Sequence, residues 1–525
     1  MSHFKAFIKK NYYSICLFLI FCIALFLRTF RISSLPQSMW VDETSLGCNS
    51  WCLAHYGVDR YLNEMPIYPQ NYSGGQSPLY TYLLALIIKT IGRGELSVLI
   101  CRIPGIIFSM LAVIMGTKLI HLVFQNRKVT LMAALLLTVC PFFIMHGRYA
   151  LDCNLMLGCC MTSMYFLVRY ITSPKMHNAV LCGISFGIIL YSYAVSYIFV
   201  AAFCILAAVY LLYTKKITFP HTILWAASLI IAALPIVLFI ISLAFDLPPY
   251  KFLCFTIAPI ASGRMNELFP GGILEILKMV FTVTLTNGDM LVDAIPKYYT
   301  MYFISIPFIL IGLVASLFGF VNSVRRRTFR YDALFLLYFF SGLITCCIVG
   351  TPYAAYRSIS LFVCYLFFLV NGIYHVYHFL THYRKLFISI LSVCYLIWAA
   401  SFVRYYFTEY TVLSYPNIFY WLPSYDALEY VQENLEPERL YVDCITFWEG
   451  FFFCHPESPY EIAATRHEEG YGKYYFEINY YTPLESTYVY VVRTENSDFW
   501  KALQESGLSY NKVEYPHWCV VFFSP

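Results

Sequence analysis

The chain has 525 residues, of which 60% are hydrophobic and 12% charged, where an ordinary soluble protein carries about 25% charge. That balance excludes a soluble globule. The formal net charge of +5 says little by its size and much by its placement, because the basic residues sort by loop.

The first apolar run, Tyr12 to Leu27, follows Lys5, Lys9 and Lys10 and is long enough to cross a hydrocarbon core of ~30 Å. It runs into Arg28 and Arg31 with no small-residue cleavage site, so it reads as a retained first helix and not as a signal peptide. Further runs lie near 97–123, 131–146, 155–171, 179–193, 195–213, 221–244, 302–321, 332–349, 359–380 and 386–403, which makes about eleven spans. With the N-terminus in the cytoplasm, the inner connections hold Arg127, Lys128, Lys175, Lys215, Lys216, Arg325 to Arg327, Arg330, Arg384 and Lys385, and the short outer ones only Arg148 and Arg357. The odd count then places the C-terminal tail outside the membrane.

One apolar run, Pro78 to Ile91, is too short to span, at about 21 Å for a helix of its length. Ser77 as N-cap, Pro78 in the first turn and Gly92 as stop predict a helix lying on or dipping into the outer leaflet. Three regions outside the membrane are long: the first outer loop 29–95, the middle outer loop 246–300, and the tail 404–525. Only the tail has soluble character. Its patterning predicts helices at 426–434 and 497–506 and strands at 439–444, 487–493, 509–514 and 519–523, hence a small α/β domain. The division expected from the linear sequence is a transmembrane module over 1–403 and an extracytoplasmic domain over 404–525. The distance of that tail from every charged motif predicts a part in acceptor recognition more than in chemistry. The 19 cysteines lie mostly inside apolar segments, where they pack as small apolar groups.

Asp42 and Glu43 come just after the first span, ahead of a stretch that can be helical to Tyr56 with Gly57 as its stop. A carboxylate at a helix N-terminus is favoured in its ionised form, so Asp42 is a candidate proton acceptor; the plain alternative is that the pair only caps the helix. A second constellation, His146-Gly147-Arg148-Tyr149-Ala150-Leu151-Asp152-Cys153-Asn154, falls on the same side of the membrane. Arg148 and Asp152 are spaced to pair along one helical face, or Arg148 holds a phosphate while Asp152 and His146 face the site. Arg357 is a further phosphate candidate, though an arginine there also serves as an interfacial anchor. Lys251, Arg264 and Lys297 in the middle loop are weaker ones. Tyr191 and Tyr193 are candidate cavity-lining residues, although tyrosine at an interface is more often an anchor.

The outer loops contain no Asp-x-Asp, His-Glu-x-x-His or Gly-x-Ser-x-Gly, and the chain has no phosphate-binding glycine loop in a strand-turn-helix setting. No metal or other cofactor is expected, and no nucleic-acid partner.

In order along the chain stand Arg28, Pro36, Asp42-Glu43, Gln76-Ser77-Pro78-Leu79-Tyr80, Arg102-Ile103-Pro104 and Arg148 to Asp152. This series resembles the GT-C glycosyltransferases that include protein O-mannosyltransferases and lipid A aminoarabinose transferases, well over about the first 215 residues and in layout beyond. The resemblance implies an all-α polytopic membrane protein with two juxtamembrane helices in its first outer loop, joined here to a small C-terminal α/β extracytoplasmic domain. It also implies a polyprenyl-phosphate sugar donor, with Asp42 as the base in a single inverting displacement onto an extracytoplasmic acceptor. Gln76-Ser77 stands where many relatives have histidine and proline, and the tail lacks the repeated domains of eukaryotic mannosyltransferases. A lipid or ion transporter, a ligase using lipid-linked oligosaccharide, and a non-catalytic scaffold for wall assembly are the competing classes.

Overall fold

The structure is a computed structural model that describes residues 2–37, 39–71, 74–260, 272–286, 295–350, 357–410, 420–421, 424–443 and 448–523. Among these, nine helices are long and apolar enough to cross a bilayer: Asn11–Thr29, Val98–Phe124, Asn154–Thr172, Ser196–Tyr213, Phe219–Phe245, Pro296–Arg326, Tyr331–Val349, Leu361–Phe379 and Arg384–Thr408. The chain is a mostly helical, multi-pass membrane protein, as its hydropathy predicts. Close approach of helices in such a protein needs small residues. Ile306–Arg326 and Leu361–Phe379 meet at Gly312 and Gly372, where an added Cβ would collide with the backbone carbonyls of Phe368 and Phe308 respectively.

The other two runs counted as spans form shorter helices. Met176–Ile189 has 14 residues, and the run at 131–146 is broken into Arg127–Val139 and Pro141–Met145. Pro141 explains the break, since it has no N–H for the carbonyl of Leu137 and its ring crowds that carbonyl out. Irregular backbone at membrane depth is tolerated where protein satisfies it, and here other elements supply the partners. Nη2 of Arg28 donates to the carbonyls of Leu137 (3.1 Å) and Phe143 (2.6 Å). The Tyr302 hydroxyl donates to the Val139 carbonyl (2.6 Å), and the Phe142 N–H to that of Thr300 (2.9 Å). Arg28 is fully buried, with Nε on the Ser109 hydroxyl (2.6 Å) and Nη1 on the Ala24 carbonyl (3.0 Å). Its acceptors are all neutral oxygens.

Arg28→Met keeps the apolar arm but removes the donor from Leu137 and leaves Phe143 with Ser109 alone. At about 1–3 kcal/mol for each buried group left unsatisfied, a clear drop in the unfolding midpoint of the detergent-solubilised protein is expected. An unchanged midpoint in a thermal melt would show that the break does not depend on Arg28.

The chain divides into two compact units, and the division differs from the linear one. The first comprises Met1–Ile32, Ile67–Tyr80 and Arg102–Tyr410; the second comprises Ser33–Pro66, Thr81–Cys101 and Thr411–Pro525. Most of the first outer loop therefore folds with the tail. The second unit contains a seven-stranded mixed sheet in the spatial order Tyr510–Tyr515, Trp518–Phe523, Tyr488–Arg493, Arg439–Val442, Tyr474–Tyr475, Gly470–Tyr471, Arg466–His467. Tyr488–Arg493 and Tyr474–Tyr475 run parallel to Arg439–Val442, and the other neighbours are antiparallel. Tyr441, Tyr490, Val492 and Val521 pack on Phe499 and Leu503 of the helix Ser497–Ser506. The Asn496 side chain caps that helix by accepting from the Phe499 N–H (3.2 Å). The strands Arg439–Val442, Tyr488–Arg493, Tyr510–Tyr515 and Trp518–Phe523 and the helices Ser424–Asn434 and Ser497–Ser506 fall where the patterning predicts them, with Cys444 outside the described residues; the short strands at 466–467, 470–471 and 474–475 and the helices Glu449–Cys454 and Pro459–Ala464 are not predicted by it.

Candidate active site

In the second unit, Val41–Tyr56 is a helix that begins at extended Trp40 and ends at Gly57, whose φ of 71° suits a glycine stop. Asp42 and Glu43 occupy its first turn and do different things. Glu43 is fully buried, and its carboxylate accepts from the Trp40 backbone N–H (2.9 Å), the reach-back half of a capping box. Asp42 is half-buried, and its carboxylate accepts from the Trp40 indole N–H (3.2 Å). The capping alternative offered for the pair thus falls to Glu43. Asp42, one residue earlier, is held by a ring that leaves part of it accessible.

The same helix is seated by its own unit. Met39 and Trp40 pair antiparallel with Trp421 and Tyr420. Gly47 faces the Phe453 ring so closely that a Cβ would come within 2.6 Å of it. Arg60, fully buried, donates to the Ser45 carbonyl (3.2 Å) and hydroxyl (2.8 Å) and forms an ion pair with buried Glu449 (3.0 Å). Burial alone would lower the pKa of Arg60, but the Glu449 carboxylate holds it above the ordinary arginine range. The sequence reading missed both residues. Arg60 sits in a polar turn, Asp59-Arg60-Tyr61, and nothing local says that its partner lies in the tail.

In the first unit, the constellation at 146–154 is a folded turn and not a continuous helix. His146 is buried, stacks on Phe142 and bonds through Nε2 with the Asn154 carbonyl (3.0 Å). The Asn154 amide returns to the carbonyls of His146 (2.6 Å) and Tyr149 (3.1 Å). Asp152 is half-buried and accepts from the backbone N–H groups of Ser77 (2.9 Å) and Cys153 (2.7 Å), which ties the turn to the start of helix Pro78–Thr90. Arg148 is buried, donating to the carbonyls of Leu27 and Phe30 (2.8 Å each) and to the Tyr406 hydroxyl (3.2 Å). The end of a helix leaves carbonyls open, and Arg148 closes those of the first span. Its spacing to Asp152 suits a helical pair, but no helix runs between them.

Arg357 is half-buried and donates to the carbonyls of Val349 (3.0 Å) and Gly350 (3.2 Å), at the end of helix Tyr331–Val349. The rest of its loop, 351–356, lies outside the described residues, as does Arg264. Tyr191 sends its hydroxyl to the Ala232 carbonyl (2.9 Å), while its own carbonyl accepts from the Leu79 N–H (3.0 Å). Tyr193 is half-buried nearby. Lys297 lies over the rings of Tyr298 and Tyr405, and Lys251 is exposed on the hairpin Tyr250–Ile257.

The family described as dolichyl-phosphate-mannose-protein mannosyltransferase matches by its sequence profile over residues 75–241. The match includes His146, Arg148, Asp152, Tyr191 and Tyr193 but begins after Asp42. No curated protein matches. Among solved structures, ArnT from Cupriavidus metallidurans bound to undecaprenyl phosphate is 10% identical with a TM-score of 0.57, covering 97% of this chain and 98% of that one. The apo oligosaccharyltransferase of Archaeoglobus fulgidus is 14% identical with a TM-score of 0.53, covering 85% of this chain and 64% of that one. The same enzyme tethered to an acceptor peptide with the NVT sequon is 13% identical, with a TM-score of 0.54 over 86% and 63%. The chain thus spans less than two thirds of the archaeal enzyme's length. At such identities the likeness is one of fold: the chain has the GT-C membrane fold that these transferases share, and its residues 75–241 carry the profile of the dolichyl-phosphate-mannose-protein mannosyltransferase family.

Proposed function

We propose that the protein is a membrane glycosyltransferase that moves a monosaccharide from a polyprenyl-phosphate carrier to an acceptor on the outer face of the membrane. The observation that carries this is Asp42: a half-buried carboxylate in the first turn of a helix, beside a Glu43 already committed to the cap, in a chain that matches an undecaprenyl-phosphate-bound ArnT along nearly its whole length. Asp42 takes the proton of an acceptor hydroxyl as that oxygen attacks the anomeric carbon. The bond from that carbon to the phosphate oxygen breaks, the configuration inverts, and lipid phosphate leaves with the electron pair.

The phosphate needs a cation, and Arg357 is the better of the two arginines. Both arginines donate to carbonyls at a helix end, but Arg148 is fully buried there, whereas Arg357 is half-buried. Asp152 orients the turn and the start of the helix Pro78–Thr90, and Glu43 holds the first turn under Asp42. Mass spectrometry of envelope glycans and glycoproteins, with and without the gene, tests the reaction class. A glycan must disappear with the gene and return with it; no gene-dependent glycan would overturn the proposal.

A monophosphate carrier requires less charge neutralisation than a diphosphate, so chelator is expected to leave transfer by the purified protein unchanged. Loss restored by Mn²⁺ or Mg²⁺ would instead favour the ligase class with a lipid diphosphate donor. The sidedness follows from the basic loops: a reporter fused after Pro525 should read as extracytoplasmic, and a cytoplasmic reading would remove Asp42 from the outer face.

A further inference from the structure

Arg60 and Glu449 form an ion pair that water barely reaches, with side chains 0% and 2% exposed. Replacing such a pair by well-packed apolar residues is often neutral or stabilising, because desolvation offsets the attraction. Stability alone therefore does not account for it, and its geometry does more. Arg60 grips both the carbonyl and the hydroxyl of Ser45, one turn along the helix from Asp42, and its backbone N–H donates to the Asn49 side chain (3.3 Å). Glu449 begins the helix Glu449–Cys454, and its own carbonyl accepts from the Cys48 thiol (3.3 Å). Phe453 of that helix fills the gap at Gly47, and Phe452 meets Trp51 edge-on at 5.9 Å. The strand before Asp42 is paired by Tyr420 and Trp421. The first three turns of helix Val41–Tyr56 are thus fixed from several directions by residues of the C-terminal tail.

We propose that Arg60 and Glu449 are positioning residues for the transfer reaction: through Ser45 they set where the first turn of helix Val41–Tyr56 stands, and with it the Asp42 carboxylate. The inference rests on the transferase reading and on Asp42 as its base. A base acts only within hydrogen-bond reach of the proton that it takes, and a displacement of about 1 Å can cost on the order of 10²-fold in rate. The tail then governs the chemical step without giving a group to it.

The test is the full-length double variant Arg60→Met with Glu449→Leu, which removes both charges and leaves neither buried alone. Three quantities are read: its thermal unfolding midpoint, its binding of undecaprenyl phosphate, and its restoration of the gene-dependent envelope glycan. The expected result is a midpoint near that of wild type, lipid-phosphate binding within about threefold, and transfer reduced at least tenfold, within the range that misplacement produces. A merely structural pair would move the midpoint and not this split. Wild-type transfer by the folded double variant overturns the inference and leaves the transferase reading standing. Parallel loss of lipid binding and transfer in a folded protein overturns it as well. Should the double variant not fold, Glu449→Asp keeps the charge, shortens the arm by one methylene and must show the same split. If no strain, wild type included, shows a gene-dependent glycan, the transferase reading itself falls, and the inference with it.

Discussion

Asp42→Asn is expected to lower sugar transfer by roughly 10²- to 10⁴-fold, the cost typical of losing a general base, while the protein stays folded. The substitution nearly preserves volume. Its amide oxygen still accepts from the Trp40 indole, and the cap made by Glu43 is untouched. The loss of a negative charge in the first turn costs only about 0.3–1 kcal/mol. Binding of undecaprenyl phosphate should change little. Arg357→Gln should give the contrasting pattern, with weaker lipid-phosphate binding and slower transfer together. Both variants are compared by the gene-dependent glycan in complemented cells and by lipid-phosphate binding to purified protein. Near wild-type transfer by Asp42→Asn would remove Asp42 as base and pass the role to Asp152. Full activity of both variants would favour a transporter, which does not need the acidity of Asp42.

Truncation after Tyr410 should abolish transfer outright and unfold the first outer loop. It removes Glu449 from Arg60, the strand Tyr420–Trp421 from Met39 and Trp40, and Phe453 from Gly47. Breaking a buried ion pair from one side alone costs about 3–5 kcal/mol, and the apolar faces of Val41–Tyr56 lose their cover besides. Limited proteolysis reads this directly: cleavage within residues 33–66 should be faster in the truncated protein than in the intact one. A protected loop with residual donor hydrolysis would restore the linear division of the chain, in which the tail only recognises acceptor. The point variant Glu449→Ala should move in the same direction by less.

The helices of the first outer loop were legible because their ends carry local signals. Pro78 and Gly57 act within one turn, and the structure has Pro78–Thr90 and Val41–Tyr56. The tail strands were legible by alternation, as in Tyr488–Arg493. Two features were not. The break at Cys140 was hidden under an unbroken apolar run, although Pro141 marked it. The seating of Asp42 by Glu449 joins residues some four hundred positions apart, and no local pattern records such a contact. Residue type misled at the arginines. A guanidinium suits a phosphate and an open helix end equally, since both present oxygens to it. Only the surroundings show that Arg148 donates to the carbonyls of Leu27 and Phe30.

The broken helix has a consequence for biogenesis. Arg127–Val139 is 13 residues long, about 20 Å, too short to be retained in a bilayer on hydropathy alone. Its open carbonyls are taken by Arg28, made long before it, and by Tyr302, which leaves the ribosome 163 residues later than Val139. During that interval the segment has one of its two anchors and is expected to depend on the insertion machinery. A nascent chain released before residue 302 should therefore be recognised by membrane quality control through this segment, whose Val139 carbonyl lacks the Tyr302 hydroxyl.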